Sequence, residues 1–379
     1  MIQSESMFLN VINMNPKEQF EKLYNSLLKR RQSWNYTKLY NKMVLQTPDY
    51  QLVIDGGKGE EEWLSRWQPL LSHKLSPLSY RIFSHMAGES IDRLPLEVCV
   101  NVVEPTLNPR NYRTYYDDKN SLPLIMDGDW LPITYLRSLN GHLFNKDWNI
   151  VVDESSMMDL ITSKRVIVKP SCEQSGRGVQ IFKCDENGNY YNKNGEKLNL
   201  AFLRNQYKDN WLIQDCLNQS EELARFNPTS INTIRIATYR SIDGKIHPIG
   251  QVLRVGKQGA EVDNAHAGGM FCGIDAEGHL GHYFCDALAR KKTVFNDIDL
   301  ANNNYSISNM NMIREFVCKA ASRIVHHDLV AFDVAITKDG TPKLLEINIG
   351  GFSAWLFEMT QQSTFGYYTE EIIQRCKNK

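Results

Sequence analysis

Apolar positions recur along this chain with two different periods, and the change of period divides it. Between residues 16 and 46, Phe20, Leu23, Tyr24, Leu27 and Leu28 stand three and four apart, which predicts one or two helices. Residues 50 to 118 mix helical and loop patterns, and Pro105 and Pro109 mark a linker-like stretch. From Lys119 onward short β-branched and aliphatic runs take over. Asn149 to Val152, Arg165 to Lys169, Trp211 to Gln214, Thr233 to Tyr239 and Ile246 to Val255 read as strands. Helical spacing returns at Ile313, Phe316, Val317, Ala320, Ala321 and Ile324, so 308 to 326 reads as an amphipathic helix capped by Ser308. No repeat or low-complexity tract interrupts the pattern, and the expectation is an α+β body with mainly antiparallel sheets.

The densest chemistry lies between Phe332 and Asn348. Two aliphatic runs flank Asp339-Gly340, a pair that type I′ hairpin turns favour because glycine takes positive φ without steric cost. With those two residues at the centre, Lys338 faces Thr341, and counting back sets Asp333 opposite Glu346. Carboxylates so opposed repel, and a cation between them removes that cost. Alternation along a regular strand sends Glu346 and Asn348 to one face, Leu345 and Ile347 to the other. Two carboxylates and an amide oxygen suit a hard divalent cation such as Mg²⁺, with positions left for water and phosphate. The competing reading is an exposed hairpin whose acids meet neighbouring lysines.

The totals set limits. A chain of 379 residues is long enough for two or three domains. Its 43 Lys and Arg nearly balance 44 Asp and Glu, so no overall field marks nucleic acid or membrane as the main partner. Residues Met1 to Met7 lack a basic start followed by an apolar run, and no window approaches the roughly 20 apolar residues of a membrane span. The expectation is a cytoplasmic chain with no integral membrane segment. Lys29-Arg30-Arg31 beside Trp34 and Tyr36 leaves peripheral contact with an anionic acceptor or lipid headgroup open, against the plainer reading of a solvated helix face. The eight cysteines are scattered without a Cys-x-x-Cys pair, and neither His326-His327 nor His279 and His282 has zinc spacing, which predicts reduced thiols.

Three further segments carry chemistry. Lys169 ends an apolar run and is followed by a small loop with Ser175, Gly176 and Gly178, which offers a fixed cation and free backbone N–H groups to a polyphosphate. It is not a P-loop, because no Gly-Lys-Ser/Thr closes it, and Ile181 stands where a dinucleotide fingerprint needs its third glycine. A structural hairpin loop is the alternative. At Ile213-Gln214-Asp215-Cys216-Leu217 a strand runs into a polar stretch with Glu221 and Glu222, an exit able to present backbone groups to an adenine edge. Arg235 sits in an otherwise apolar strand and requires an anionic partner, either an internal carboxylate or a substrate phosphate. Asp263 to Gly269 ends in paired glycines that permit close backbone approach, as a tight turn or as an acceptor pocket wall.

Taken in order, Lys119, Lys169 with its glycine loop, Gln214 to Glu221, and Asp333 with Glu346 and Asn348 resemble the ATP-grasp enzymes. The segment IQDCLNQSEELARFNPTSINTIRIATYR is similar to the sugar-transfer-associated ATP-grasp family, related to teichuronopeptide-type proteins, over about 119 to 360. The resemblance implies two antiparallel-sheet lobes with ATP between them, preceded by a mainly helical N-terminal region. The boundaries are 1–118 for that region, 119–216 for the small lobe and 217–379 for the large lobe. It implies that Lys119 and Lys169 hold phosphates while Ser175, Gly176 and Gly178 close over them. Gln214, Asp215 and Leu217 meet adenine and Glu221 meets ribose; Asp333, Glu346 and Asn348 ligate Mg²⁺. Arg235, with Lys169, serves catalysis, and Asn232, Arg254, Asn264, His266, Gly268 and Gly269 line the acceptor pocket. Two departures stand out: Gln214 replaces the acid often found at the strand exit, and a histidine expected near Gln219 is missing. The activity implied is ATP- and Mg²⁺-dependent carboxylate–amine ligation through an acyl phosphate, on a small-molecule or glycan-linked carboxylate, in polysaccharide or related glycoconjugate synthesis and without nucleic acid. The alternatives are a kinase acting on a sugar or polyol hydroxyl, and a nucleotide-binding scaffold without turnover.

Overall fold

The computed structural model describes residues 16–46, 56–173, 176–261, 263, 265 and 268–378. Among the described residues the first element is a single long helix, α1 (Pro16–Gln46). Its C-terminal half lies against α2 (Glu60–Trp67) and α3 (Leu78–Ala87), where Tyr40 and Met43 join Trp63, Trp67 and Phe83 in one buried cluster. Three abutting helical turns follow, Leu96–Val98, Cys99–Val103 and Glu104–Leu107. Pro105, read as a linker mark, sits inside this helical stretch, just after a π-type turn in which Glu104 N donates to Cys99 O. That stretch is no linker, since Leu107 and Asn108 are buried against the sheet behind it.

The first sheet is built from β1 (Thr134–Leu139), β2 (His142–Asn145), β3 (Arg165–Pro170), β4 (Gln180–Cys184), β5 (Tyr190–Tyr191) and β6 (Trp211–Asp215). The order is β2-β1-β6-β3-β4-β5, antiparallel throughout. Helix α4 (Leu200–Tyr207) covers one face around Phe182, Leu203 and Trp211. The strand expected at Asn149 to Val152 is a single bridge from Ile150 to Phe144; Asp153 then caps the next turn by accepting from Ser155 N, and Val152 stays exposed.

After the short α5 (Glu221–Ala224) comes the second sheet. It contains β7 (Thr233–Arg240), β8 (Ile246–Val255), β9 (Met270–Gly273), β10 (Phe284–Cys285) and β11 (Lys291–Lys292), with β12 (Val294–Phe295) and β13 (Ile298–Asp299) as a separate hairpin. Helix α6 (Met310–Ser322) precedes β14 (Leu329–Ile336) and β15 (Pro342–Asn348), and α7 (Ala354–Glu358) and α8 (Thr369–Lys377) follow. The order β11-β10-β9-β8-β7-β14-β15 is again antiparallel. One face packs on α6 through Ile313, Phe316, Val317 and Ala320, as the stripe predicts. Ser308 is not its cap: its hydroxyl donates to Glu222, and Asn309 holds the cap position.

The other face of this sheet is divided. Ala331, Ala237, Tyr239 and Val252 bury against the N-terminal helices and α7, whereas Asp333, Arg235 and Arg254 lie further along the same pleated surface and face the cleft. Both uses follow from the period of two.

Candidate active site

Between the sheets lies a cleft of about 440 Å³. Its floor is the β14-β15 hairpin. Asp333 pairs with Glu346 and Ala331 with Asn348, the predicted register, yet the turn is not the predicted two-residue one. Ile336 pairs with Pro342, and Thr337 N donates to Thr341 O at 3.0 Å, so the loop is longer and the ladder near it is offset by one residue. A β-bulge between Asp333 and Val334, on the partner strand at Leu345, removes the offset. The bulge also corrects the strict alternation expected for β15: Leu344 and Ile347, three apart, both enter the core, Leu345 lines the cleft, and Glu346 and Asn348 line it too.

The strand neighbours of Asp333 determine its state. Arg235, directly across on β7, donates from Nε to Oδ1 at 2.6 Å and from Nη2 to Oδ2 at 2.7 Å. Arg254 on β8 adds Nη1 to Oδ2 at 2.8 Å. Burial alone would raise the Asp333 pKa; the two guanidinium groups outweigh it and hold the carboxyl below the usual carboxylate range, so it stays ionised. The half-buried Asp263 holds the far side of Arg254 at 3.2 Å and accepts from the Thr233 hydroxyl. Burial lowers the Arg254 pKa, but Asp263 and Asp333 more than restore it. Arg235 thus has an internal carboxylate for a partner, and its Nη1 also donates to Ser353 Oγ at 2.9 Å.

The lysines approach from the other side. Lys119 donates from Nζ to Glu173 O at 2.6 Å and lies 3.1 Å from Glu346 Oε1. Lys169, at the end of β3, is 9% exposed. Burial, then the positive charge of Lys119, pushes its pKa down to about 7, with Glu346 pulling the other way. Gly176 lies on the cleft wall; Gly178 lies off it, at φ 71° with room for a Cβ only 3.1 Å from the Pro170 ring. At the strand exit Gln214, Asp215 and Leu217 line the cleft, and the Gln214 amide donates to Thr134 Oγ1 at 2.9 Å.

Several predicted residues are elsewhere. Glu221 heads α5 away from the wall, and Asn232 is wholly buried, its amide donating to Gln219 Oε1, Leu223 O and Asn227 O. It braces the loop before β7. Gly268 and Gly269 are also off the wall, while Ser175, Asn264 and His266 fall outside the described residues.

Residues that sequence reasoning left out complete the site. Behind Asn348, the loop Ile349 to Ser353 turns through Gly350-Gly351, and residues before Lys119 hold it. Glu104 accepts from Gly351 N at 3.2 Å and from Phe352 N at 3.3 Å, and Asn108 donates to Ile349 O at 2.9 Å and Leu329 O at 2.6 Å. Arg113 donates to Gly350 O at 3.2 Å and packs so closely that a Cβ there would meet its guanidinium at 1.7 Å. Ser353 sits at φ 65°, a left-handed conformation costly for a non-glycine residue, and presents its hydroxyl to Arg235. The paired glycines two residues after Asn348 were the available sequence signal.

The donor set fits a hard cation. Asp333 is ionised, Glu346 faces it across the ladder, and Asn348 has a buried amide nitrogen with no partner among the described residues; turning that amide offers its oxygen instead. Basic Lys119, Arg165, Lys169, Arg177, Arg235 and Arg254 line the cleft against acidic Glu173, Asp215, Glu261, Asp263, Asp333 and Glu346, so the wall is balanced in charge.

Two antiparallel sheets closing on a cleft, a lysine ending a strand of one and an acid pair on the last hairpin of the other, define an α+β fold of the ATP-grasp class. Residues 102–372 match the sugar-transfer associated ATP-grasp family, and the chain belongs to it. The matched span is wider at both ends than the 119 to 360 expected, and it takes in Glu104, Asn108 and Arg113. Comparison with curated proteins returns no match. Among solved structures the chain is similar to N5-carboxyaminoimidazole ribonucleotide synthetase from Thermotoga maritima, at 14% identity and TM-score 0.34, over 70% of this chain and 47% of that one. It is also similar to the biotin carboxylase domain of the Hydrogenobacter thermophilus 2-oxoglutarate carboxylase, solved with MgADP, ADP and bicarbonate, at 12% identity and TM-score 0.40 over 71% and 47%. D-alanyl-alanine synthetase A from Vibrio cholerae gives 12% identity and TM-score 0.39 over 69% and 65%. The chain spans about half the length of the first two.

Proposed function

We propose that the chain is an ATP- and Mg²⁺-dependent carboxylate–amine ligase acting through an acyl phosphate, on a small-molecule or glycan-linked carboxylate, in the synthesis of cell-surface polysaccharide or a related glycoconjugate. The observation that carries this reading is the pairing of Asp333 with Glu346 on the cleft floor, with Lys119, Lys169 and Arg235 around them. Bound there, Mg²⁺ would neutralise charge on the triphosphate. Lys169 and Lys119 hold phosphate oxygens, and burial makes each contact stronger than it is in water. Arg235, fixed by Asp333 and Ser353, is oriented before substrate arrives and stabilises charge on the transferred phosphoryl group. The substrate carboxylate takes the γ-phosphoryl group and ADP leaves; the amine then attacks the acyl carbon, an amide bond forms and phosphate departs with the proton lost by the amine. Positioning and charge neutralisation suffice, so no protein nucleophile is required. Eight free cysteines accord with a reducing compartment such as the cytoplasm.

The test is ADP release from a panel of uronic and amino acids, with and without amines, followed by mass spectrometry. An amide formed only when acid, amine and MgATP are all present is the expected result. A phosphate ester formed without amine would make the enzyme a kinase, and no ADP from any pairing, with no nucleotide binding by calorimetry, would end the reading.

A further inference from the structure

The long first helix changes its packing face partway along. In its C-terminal half, Tyr40 and Met43 are buried in the body, Tyr40 donates to Glu97 at 3.0 Å, and Ser33 meets His73 at 2.7 Å and Asn101 at 3.1 Å. At about 100° per residue, the stripe formed by Phe20, Tyr24 and Leu27 lies on roughly the opposite side. These three, with Leu23 and Trp34, are each more than half exposed. The same open face continues through Arg31, Lys38 and Lys42, all exposed, with Lys38 Nζ 3.5 Å over the Trp34 ring. No other described element covers this face.

We propose that the exposed face of α1 is a docking surface for an anionic lipid bilayer. Helix α1 holds seven basic residues and two acidic ones, and none of its residues from Lys22 to Gln46 is acidic. The whole chain carries a net charge of −1, so five positive charges on this helix leave six negative ones on the remainder. The cationic face and the anionic body orient the molecule against a negatively charged surface: the helix is drawn in and the body is held off. Leucine, phenylalanine, tyrosine and tryptophan supply the apolar contact, and flanking lysine and arginine stems reach the headgroups. A second copy is a poor occupant, because self-pairing would bring Arg31, Lys38 and Lys42 against like charges. No helix among the described residues is long and apolar enough to cross a membrane, so the contact is parallel to the surface. The inference does not depend on the chemistry in the cleft.

Co-sedimentation of the full chain with vesicles tests it. Binding is expected to phosphatidylcholine vesicles containing about one quarter phosphatidylglycerol and not to pure phosphatidylcholine, and to weaken at high salt. The triple variant Arg31→Gln, Lys38→Gln, Lys42→Gln should lose on the order of 100-fold in partitioning, at roughly 1 kcal/mol per basic residue near the surface. Leu23→Ser with Leu27→Ser should lose at least about tenfold, given some 25 cal/mol per Å² of apolar surface. Sedimentation velocity and thermal melts of the same variants establish that they remain folded. Equal binding to neutral vesicles, unchanged binding by both variants, or a dimer abolished by the leucine changes without any vesicle binding would each overturn the proposal.

Discussion

Asp333 accepts three guanidinium hydrogen bonds, and this changes what its substitution can report. Asp333→Asn leaves the buried Arg235 and the half-buried Arg254 with half their compensation, a loss of about 3–5 kcal/mol for a broken buried pair. Reduced activity would then mix lost stability with lost chemistry. Glu346 separates them, being a quarter exposed with Lys119 as its ion-pair partner. Glu346→Gln should shift stability by less than about 1 kcal/mol in denaturant titration while lowering ATP turnover on the order of 100-fold. Wild-type turnover in that variant would remove Glu346 from the reaction. Lys169 predicts a proton balance. Its folded pKa of about 7 lies below the usual 10.5, so between those values the folded chain holds fewer protons than the unfolded one, and this group's contribution to stability rises with pH across that window. A triphosphate beside it favours the charged form. Nucleotide binding at pH 8 should therefore take up a fraction of a proton, read by calorimetry in buffers of different ionisation enthalpy, and Lys169→Met should abolish the uptake.

At the scale of elements, the β14-β15 hairpin shows what was legible and what was not. Periodicity located both strands, and the Asp333-Glu346 pairing agrees with a count from a two-residue turn, although a longer loop and a bulge at Leu345 produce it. Turn chemistry reads locally; a bulge depends on which leucine the opposite layer accepts, and Leu344 rather than Leu345 fits the core. For the same reason the resemblance set Asn232 in the acceptor pocket, while the bonds that hold it in the loop depend on Gln219 and Leu223 reaching it. The segment before Lys119 was read as a linker because its prolines are visible and the backbone amides it serves, some 240 residues later, are not. Glu104 there allows a pH test. Burial raises its pKa from 4.5 to about 7, so stability from this group is full below pH 4.5 and is lost as pH rises through 7. Glu104→Gln should flatten the melting temperature across that range and weaken nucleotide affinity by loosening the loop at Gly351; an unaltered pH profile would leave another acid, such as Glu97, responsible.

Across the whole molecule, the balance of charge in the cleft bears on ligand binding. A triphosphate carries about four negative charges at neutral pH, and a wall of equal basic and acidic residues offers no net attraction until a divalent cation enters. Nucleotide with Mg²⁺ should raise the melting temperature, by about 2.7 kcal/mol of added stability at 100 times Kd, and nucleotide with chelator should raise it far less. Equal shifts in both conditions would argue against a metal at Asp333 and Glu346. The α+β class with mainly antiparallel sheets was readable from strand spacing, and the division into two sheet lobes followed from the resemblance that the motifs carry. The long-range joins were not. Arg93 reaches Glu358 in the interior, and Asn108 ties the start of β14 to the loop beyond β15. During synthesis Arg93 and Asn108 leave the ribosome well before those late segments exist, and a buried arginine without its acid is unstable. The early helices therefore reach their final packing only once the segment through Glu358 has been made, and assembly of the cleft follows synthesis of that segment.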